Sequence, residues 1–454
     1  MKIRRIAGVV SAFALTATLV ACAPAAEETS SPQPTDSSDA AAEPVELLIW
    51  DTGILARDLV DNDPYNAESP SFLHQMAEEF MAENPNVTIT IEQQGGDISA
   101  NAAAFQAAAI AGTGPDVRVQ YAGGPTTSFA DFFIDLEPYM TEEMLTDMGG
   151  WYVNRAGFAE DGALLGMPYG AGNMFVVFQN ADVLTEAGID PTVVPATWEE
   201  LVANSEQVAA NTDKDGFYTG NLEGYPGAWF ITAMVGGELG PTAFTDMYSG
   251  KYPVDHPAML KAYETFAAWG KSSGNNADAA QASAGGGTFY EGHADYYLVG
   301  SWENKYMLEL FGADGPVTSF FIPVLEGAQY PDVGAGGPEI TLSISNASEN
   351  VETAVEFFKF LARPENQDRF VEIYQTQGSN HVAGDPSKIQ NPRLKEQYEQ
   401  LAQSVGLTFA FDSVMPQATI DLFYRVNSGV FAGTITPADA VAQLKASYEQ
   451  ETAQ

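Results

Sequence analysis

The stretch "VELLIW" (Val45–Trp50) decides how the rest of the chain is read. It is a short, almost continuous run of β-branched, aliphatic and aromatic residues, the signature of a buried strand. Just before it lies "APAAEETSSPQPTDSSDAAAEP" (Ala23–Pro44), with no aromatic and no basic residue. Such a segment cannot bury enough apolar surface to order itself, so it reads as a tether. Downstream, Ser69-Pro70 has the form of a helix cap followed by a first-turn proline. Phe72, Met76 and Phe80 then recur every four residues on one helical face, and Asn84-Pro85 ends the helix. "NVTITIE" (Asn86–Glu92) alternates as a strand. Ala100–Ala111 favours helix up to Gly112, and "DVRVQY" (Asp116–Tyr121) is a third strand. The order β-α-β-α-β implies a parallel sheet with crossover helices.

The pattern restarts further on. "NMFVVFQN" (Asn173–Asn180) is a strand, and Ala181–Ala187 is a short helix closed by Gly188. Thr197-Trp198-Glu199-Glu200 has capping-box spacing at a helix start. Helices are expected at Pro257–Trp269, Val351–Leu361 and Pro364–Gln377. Strands are expected at Asp295–Val299, Thr318–Ile322 and Ile340–Ile344. The fold class is therefore α/β, in two units.

The first 22 residues read as a processing signal. Lys2, Arg4 and Arg5 precede an apolar run, Ile6–Val20, that is short for a membrane span. It ends in Leu19-Val20-Ala21-Cys22, which resembles the lipobox cut by bacterial lipoprotein signal peptidase. Cys22 is the only cysteine in 454 residues, so it can form no disulfide within the chain, and lipidation is its expected use. The expected location is outside the cytoplasm, anchored to the cell membrane through Cys22. The 19 basic and 61 acidic residues give a formal charge of −42, which repels nucleic acid and anionic lipid.

Signs of covalent chemistry are sparse. His74, His256, His293 and His381 are scattered, with no second His or Cys at metal-ligand spacing. Gly112-Thr-Gly114 and Gly170-Ala-Gly172 lack the third glycine of a dinucleotide loop. "DKDG" (Asp213–Gly216) starts like a calcium loop but lacks its twelfth-position glutamate. No cofactor or metal is expected. "GSWEN" (Gly300–Asn304) sets a tryptophan beside a carboxylate, which suits a catalytic acid in an apolar pocket, a platform for a sugar ring, or plain core.

Six segments occur in an order that resembles the family 1 extracellular solute-binding proteins of ABC importers, a group that includes maltose- and oligosaccharide-binding proteins. They are "AAAIAGTGPDVRV" (Ala107–Val119), "DGALLGMPYGAGNMFVVFQNADVLTEAGID" (Asp161–Asp190), "PATWEELVANSEQV" (Pro195–Val208), "GSWEN", "AVEFFKFLARPENQDRF" (Ala354–Phe370) and "DSVMPQATIDLFYRV" (Asp412–Val426). The resemblance implies a two-lobed periplasmic-binding-protein-like fold of type II, with an interlobe cleft that closes on ligand. It places crossings near Pro168–Phe175 and Gly337–Ser345. It assigns lobe 1 mainly to 45–170 and 338–375, and lobe 2 to 171–337 and 376–454. It further implies a monomer that captures a carbohydrate, an oligosaccharide by preference, and hands it to permease subunits, with no catalysis. A polyamine or glycerol phosphodiester ligand is the alternative, and a secreted glycosidase the minor one. A phosphate ligand would require a basic residue in the cleft, for which Arg118 and Arg57 are the candidates. The segment Asp51–Glu68 is longer than in the plainest members, so details transferred there are in doubt.

Candidate site residues follow from two sources. Ligands of open α/β sheets sit beyond the carboxyl ends of the strands. Sugars are held by aromatic rings against their C–H faces and by carboxylates on their hydroxyls. Strand ends select Trp50, Asp51, Tyr121, Trp302, Glu303 and the glycine loop with Gly337. The resemblance adds Glu223, Tyr225 and Trp229 from "NLEGYPGAWF" (Asn221–Phe230), and Tyr169 at the first crossing. Which of Tyr225 and Trp229 faces the cleft stays open. Trp198 and Trp269 are assigned to packing, and Trp151 to either rim or loop.

Overall fold

The computed structural model describes residues 43–52, 55, 71–94, 98–170, 173–375 and 389–452. The expected signal, Cys22, the expected tether up to Ala42, Ser69-Pro70, Arg57, His381 and nearly all of the long segment after Asp51 lie outside them.

Eleven strands occur among the described residues. They are β1 (Val45–Asp51), β2 (Val87–Gln93), β3 (Val117–Tyr121), β4 (Met167–Tyr169), β5 (Asn173–Asn180), β6 (Asp215–Tyr218), β7 (Ala294–Gly300), β8 (Val317–Phe321), β9 (Gly334–Gly337), β10 (Ile340–Ile344) and β11 (Leu407–Thr408). They form two sheets. The first runs β2-β1-β3-β10-β4 and the second β11-β9-β5-β7-β6, with β8 also paired to β5. As the sequence implies, β1, β2 and β3 are parallel. Among the remaining pairs only β6–β7 and β9–β11 are parallel, so the expectation does not extend to the whole of either sheet. Strand β10 returns antiparallel between β3 and β4, and β5 is antiparallel to β7, β8 and β9. Local pattern fixes the existence of a strand but not its direction, and these partners lie far apart in sequence.

Local predictions hold at most helix ends. Phe72, Met76 and Phe80 are all buried on the Phe72–Glu83 helix, and Asn84 caps its end. Its N-cap is Ser71, whose hydroxyl accepts from the His74 amide. Ala181–Glu186 stops before Gly188, which has φ of +80°. At the Trp198–Asn211 helix the Thr197 hydroxyl accepts from the Glu200 amide at 3.3 Å. The return bond reaches one residue further back than a capping box requires, from the Ala196 amide to Glu200. The helix begun by Pro364 ends at Tyr374, short of Gln377, with Gln375 in the left-handed conformation.

One helix departs from the sequence expectation. The sequence reading places ligand contacts in "NLEGYPGAWF" and no helix there, yet Tyr225–Leu239 is helical and largely buried. It holds Gly227, Gly236 and Gly237, poor helix formers whose missing side chains admit Phe266, Thr408 and Val324. Burial on every side supplies the stabilisation that propensity lacks. Its core partners include Phe230, Phe266 and Trp269, with Trp198 packed edge-on to Phe230 and Trp269. Trp198 and Trp269 are thus core, as assigned. Trp151 is loop packing, buried and donating its indole N–H to the Met144 carbonyl.

The two sheets are joined where the chain passes from β4 to β5 and from β9 to β10. Both passages fall in the expected crossing segments and bring the strand ends of one sheet against those of the other. Asp116 stitches the opposite end of the first sheet, accepting from the Leu48 amide and from Ser348.

Candidate ligand-binding cleft

At the tip of the second sheet, β7 runs out at Gly300 and the chain tightens into a 3-10 turn over Ser301–Glu303. The Ser301 hydroxyl accepts from the Met174 amide, which pins this turn to β5. Trp302 folds back over Gly300, and a Cβ there would collide with the indole ring. Trp302 meets Trp229 at 5.3 Å and Phe175 at 6.2 Å between ring centroids, both edge-on. Phe175 and Trp229 are 6.0 Å apart. This trio spans two hydrophobic cores, and Trp229 and Trp302 both keep part of their surface exposed. Glu303 accepts a 2.8 Å hydrogen bond from the Tyr290 hydroxyl. Burial pushes its carboxyl upward, and that bond partly offsets the push.

A second cluster lies at the junction of the sheets. Tyr225 opens its helix with 43 % of its surface exposed and meets Tyr424 edge-on at 5.0 Å. Gly224 before it has φ of +86° and abuts the Tyr424 backbone, so a side chain fits neither the space nor the conformation. The Tyr424 hydroxyl donates to Asp412 at 2.8 Å. Glu339, in the β9–β10 passage, is near enough to Asp412 for each charge to disfavour the other. Burial first, and the Asp412 charge second, push the Glu339 carboxyl up to about 7. Asp412 is raised by burial and held back by its bond from Tyr424. Tyr121, at the end of β3, is half-buried and interacts electrostatically with Tyr424. Gly337, with φ of +142°, passes against the Phe409 ring.

The structure therefore brings Trp229, Trp302 and Glu303 together at one tip. It brings Tyr121, Tyr225 and the Gly337 passage together at the junction. Four other candidates sit elsewhere. Asp51 is fully buried and accepts from the Leu55 amide at 3.0 Å. Trp50 points to the opposite face and packs against the cluster of Phe105, Phe129, Phe133 and Leu165. Tyr169 has no exposed surface; it packs on Phe72 and Phe370 and donates to the Leu361 carbonyl. Glu223 accepts from the Ala284 amide at 2.9 Å and ties two loops together. Burial raises its carboxyl, but this bond and those from Ser283 and its own amide outweigh that, so it is net lowered. Sequence reasoning missed Glu339, Asp412 and Tyr424. The signal for Glu339 was its place two residues after Gly337, in a loop already selected. Asp412 opens a segment quoted for the family resemblance.

Comparison with known proteins places the chain. The model for bacterial extracellular solute-binding proteins matches residues 63–368, and the chain belongs to that family. A chitin oligosaccharide binding protein shares the fold with a TM-score of 0.75 at 19 % identity, covering 91 % of this chain and 100 % of that one. The GacH receptor of Streptomyces glaucescens, solved unliganded and with acarbose, gives 0.69 at 18 % identity, covering 90 % and 98 %. An ABC transporter solute-binding protein of Thermotoga lettingae bound with α-D-tagatose gives 0.66 at 17 % identity, covering 89 % and 99 %. In sequence, the sn-glycerol-3-phosphate-binding periplasmic protein UgpB of Shigella flexneri is 28 % identical over 157 residues, 32 % of this chain. The chain spans about a third of the length of the curated relatives it matches.

Proposed function

We propose that this protein is the capture subunit of an ABC importer and that it binds a sugar, preferentially an oligosaccharide, between its two lobes. The observation that carries this reading is the pairing of the half-exposed Trp229–Trp302 edge with the Tyr225–Tyr424–Asp412–Glu339 cluster. Rings offer apolar platforms for pyranose C–H faces, while carboxyl and phenol oxygens bond hydroxyls. The fold-sharing proteins named for chitin oligosaccharide, acarbose and tagatose support the same ligand class. Lobe 1 would comprise mainly 45–170 and 338–375, and lobe 2 171–337 and 376–454, closing about the two crossings. The protein would act as a monomer without catalysis, anchored through a lipidated Cys22 and passing its ligand to permease subunits.

Calorimetry with an oligosaccharide panel tests the ligand class. Trp302→Ala is expected to weaken binding of the selected sugar at least about tenfold, the loss of one stacking contact of about 1.4 kcal/mol. Unchanged affinity would remove Trp302 from the site. The carboxyls of Glu339 and Asp412 favour a polyamine as the second reading, so spermidine belongs on the same panel. A Cys22→Ser variant should lose incorporation of labelled fatty acid.

A further inference from the structure

The face of the first sheet turned away from Phe72, Phe370 and Tyr169 is unusually polar. Trp50 and Arg118 are register partners on β1 and β3, and Gln120 and Thr341 are partners on β3 and β10. The Ile98–Ala111 helix covers this face with Phe105, and Phe129 and Leu165 fill beside it. Arg118 is only 4 % exposed, with its guanidinium over the rings of Phe105 at 4.2 Å and Phe129 at 4.8 Å. No hydrogen bond or ion pair to it occurs among the described residues, and its buried Nη1 has no partner. The indole N–H of Trp50 is likewise unpaired, as are the hydroxyls of Thr52 and Thr341 and the Gln120 carbonyl oxygen.

A buried guanidinium without a counter-charge is costly, and cation–π contacts recover only part of that cost. Burial accordingly lowers the Arg118 pKa to about 9. Water would solvate the orphaned hydroxyls and amide but supplies no negative charge. Arginine and indole nitrogens are donors only, a set matched to an anion. Gln120, one step closer to the strand ends, is 2 % exposed, and the Phe105 and Phe129 rings lie against the Arg118 guanidinium, so a small ion suits this face better than a sugar- or phosphate-ester-sized group.

We propose that this face holds a small monovalent anion of the chloride class, bound between Arg118 and Trp50 and independent of the ligand cleft. Two measurements on the purified protein test it. In the first, crystals are soaked in bromide and examined for anomalous scattering. A peak in contact with the Arg118 guanidinium and the Trp50 indole supports the site, and a map without one overturns it. In the second, the thermal midpoint is followed from chloride-free methanesulfonate into chloride at constant ionic strength. A rise of about 2 °C or more is expected, because the anion binds only the native state. Arg118→Met keeps the stem between the rings and should abolish that rise. If the midpoint ignores chloride at constant ionic strength, the proposal fails. Should Arg118→Met not fold, the bromide map on the unaltered protein still decides. Sugar affinity measured alongside is expected to be the same with and without chloride, so failure here leaves the transport reading intact.

Discussion

Adding one methyl group at Gly300 should reveal how the Trp302 platform is built. Gly300 has φ −100° and ψ 166°, ordinary extended backbone that alanine adopts freely. Its substitution therefore costs nothing in conformation, and by narrowing the unfolded ensemble it would on its own stabilise by about 0.4–1 kcal/mol. The obstacle is the Trp302 ring, which occupies the space a Cβ would need. The ring must either strain in place, at about 1–3 kcal/mol for an overpacked core, or swing out. Leaving would forfeit its edge contacts to Trp229 and Phe175, each worth about 0.5–1.5 kcal/mol. Set against that gain, Gly300→Ala is expected to destabilise by a net of about 0–2.6 kcal/mol. In a Trp302→Ala background the same change should be neutral or stabilising. Urea unfolding of the four proteins of this cycle gives the coupling directly, with unchanged slopes required for the comparison. Equal cost of Gly300→Ala in both backgrounds would refute the steric argument.

Asp295 is fully buried, with one oxygen on Ser205 at 3.3 Å and the other unpaired, and burial holds its carboxyl well above the ordinary range. A raised folded pKa contributes stability that is complete below the unfolded value near 4 and is lost as pH rises, so Asp295→Asn should raise the thermal midpoint at pH 8 and leave it little changed at pH 4. The same sign applies to Glu339. Its contribution fades between about pH 4.5 and 7, and Glu339→Gln should remove that segment from a stability–pH profile. Tyr169→Phe deletes the hydroxyl bonded to Leu361 and should cost about 1 kcal/mol by denaturant titration while leaving sugar affinity untouched. A tenfold loss of affinity instead would return Tyr169 to the cleft.

The elements were legible in the sequence wherever a helix had one apolar stripe or a strand alternated, as at Phe72–Glu83 and Val87–Gln93. What failed to show was which way a side chain points at the end of a strand whose sequence does not alternate. "VELLIWD" carries no alternation, so Trp50 and Asp51 looked equally eligible at the strand end, yet they lie on opposite faces. Tyr169 ends β4 in the same situation, and all three residues of that strand are buried. Trp302 stood out in the sequence as an aromatic just past a strand end, whereas the packing of its ring on Gly300 did not. The Glu339–Asp412 pair was not, because the two carboxyls come from elements that meet only through the third dimension.

The position of β10 also has a temporal meaning. It pairs Ile340 with Tyr121 and Ile344 with Val117, and it separates β3 from β4. More than two hundred residues must therefore be synthesised after β3 before the first sheet can be completed. Closing so long a loop is slow, and until it happens the early strands have an unfilled neighbour. On the proposed extracytoplasmic location, such a chain would gain from that delay. Its N-terminal half has no finished sheet to adopt while the C-terminal half is still being made, which keeps it in the extended, threadable state that passage through a membrane channel demands.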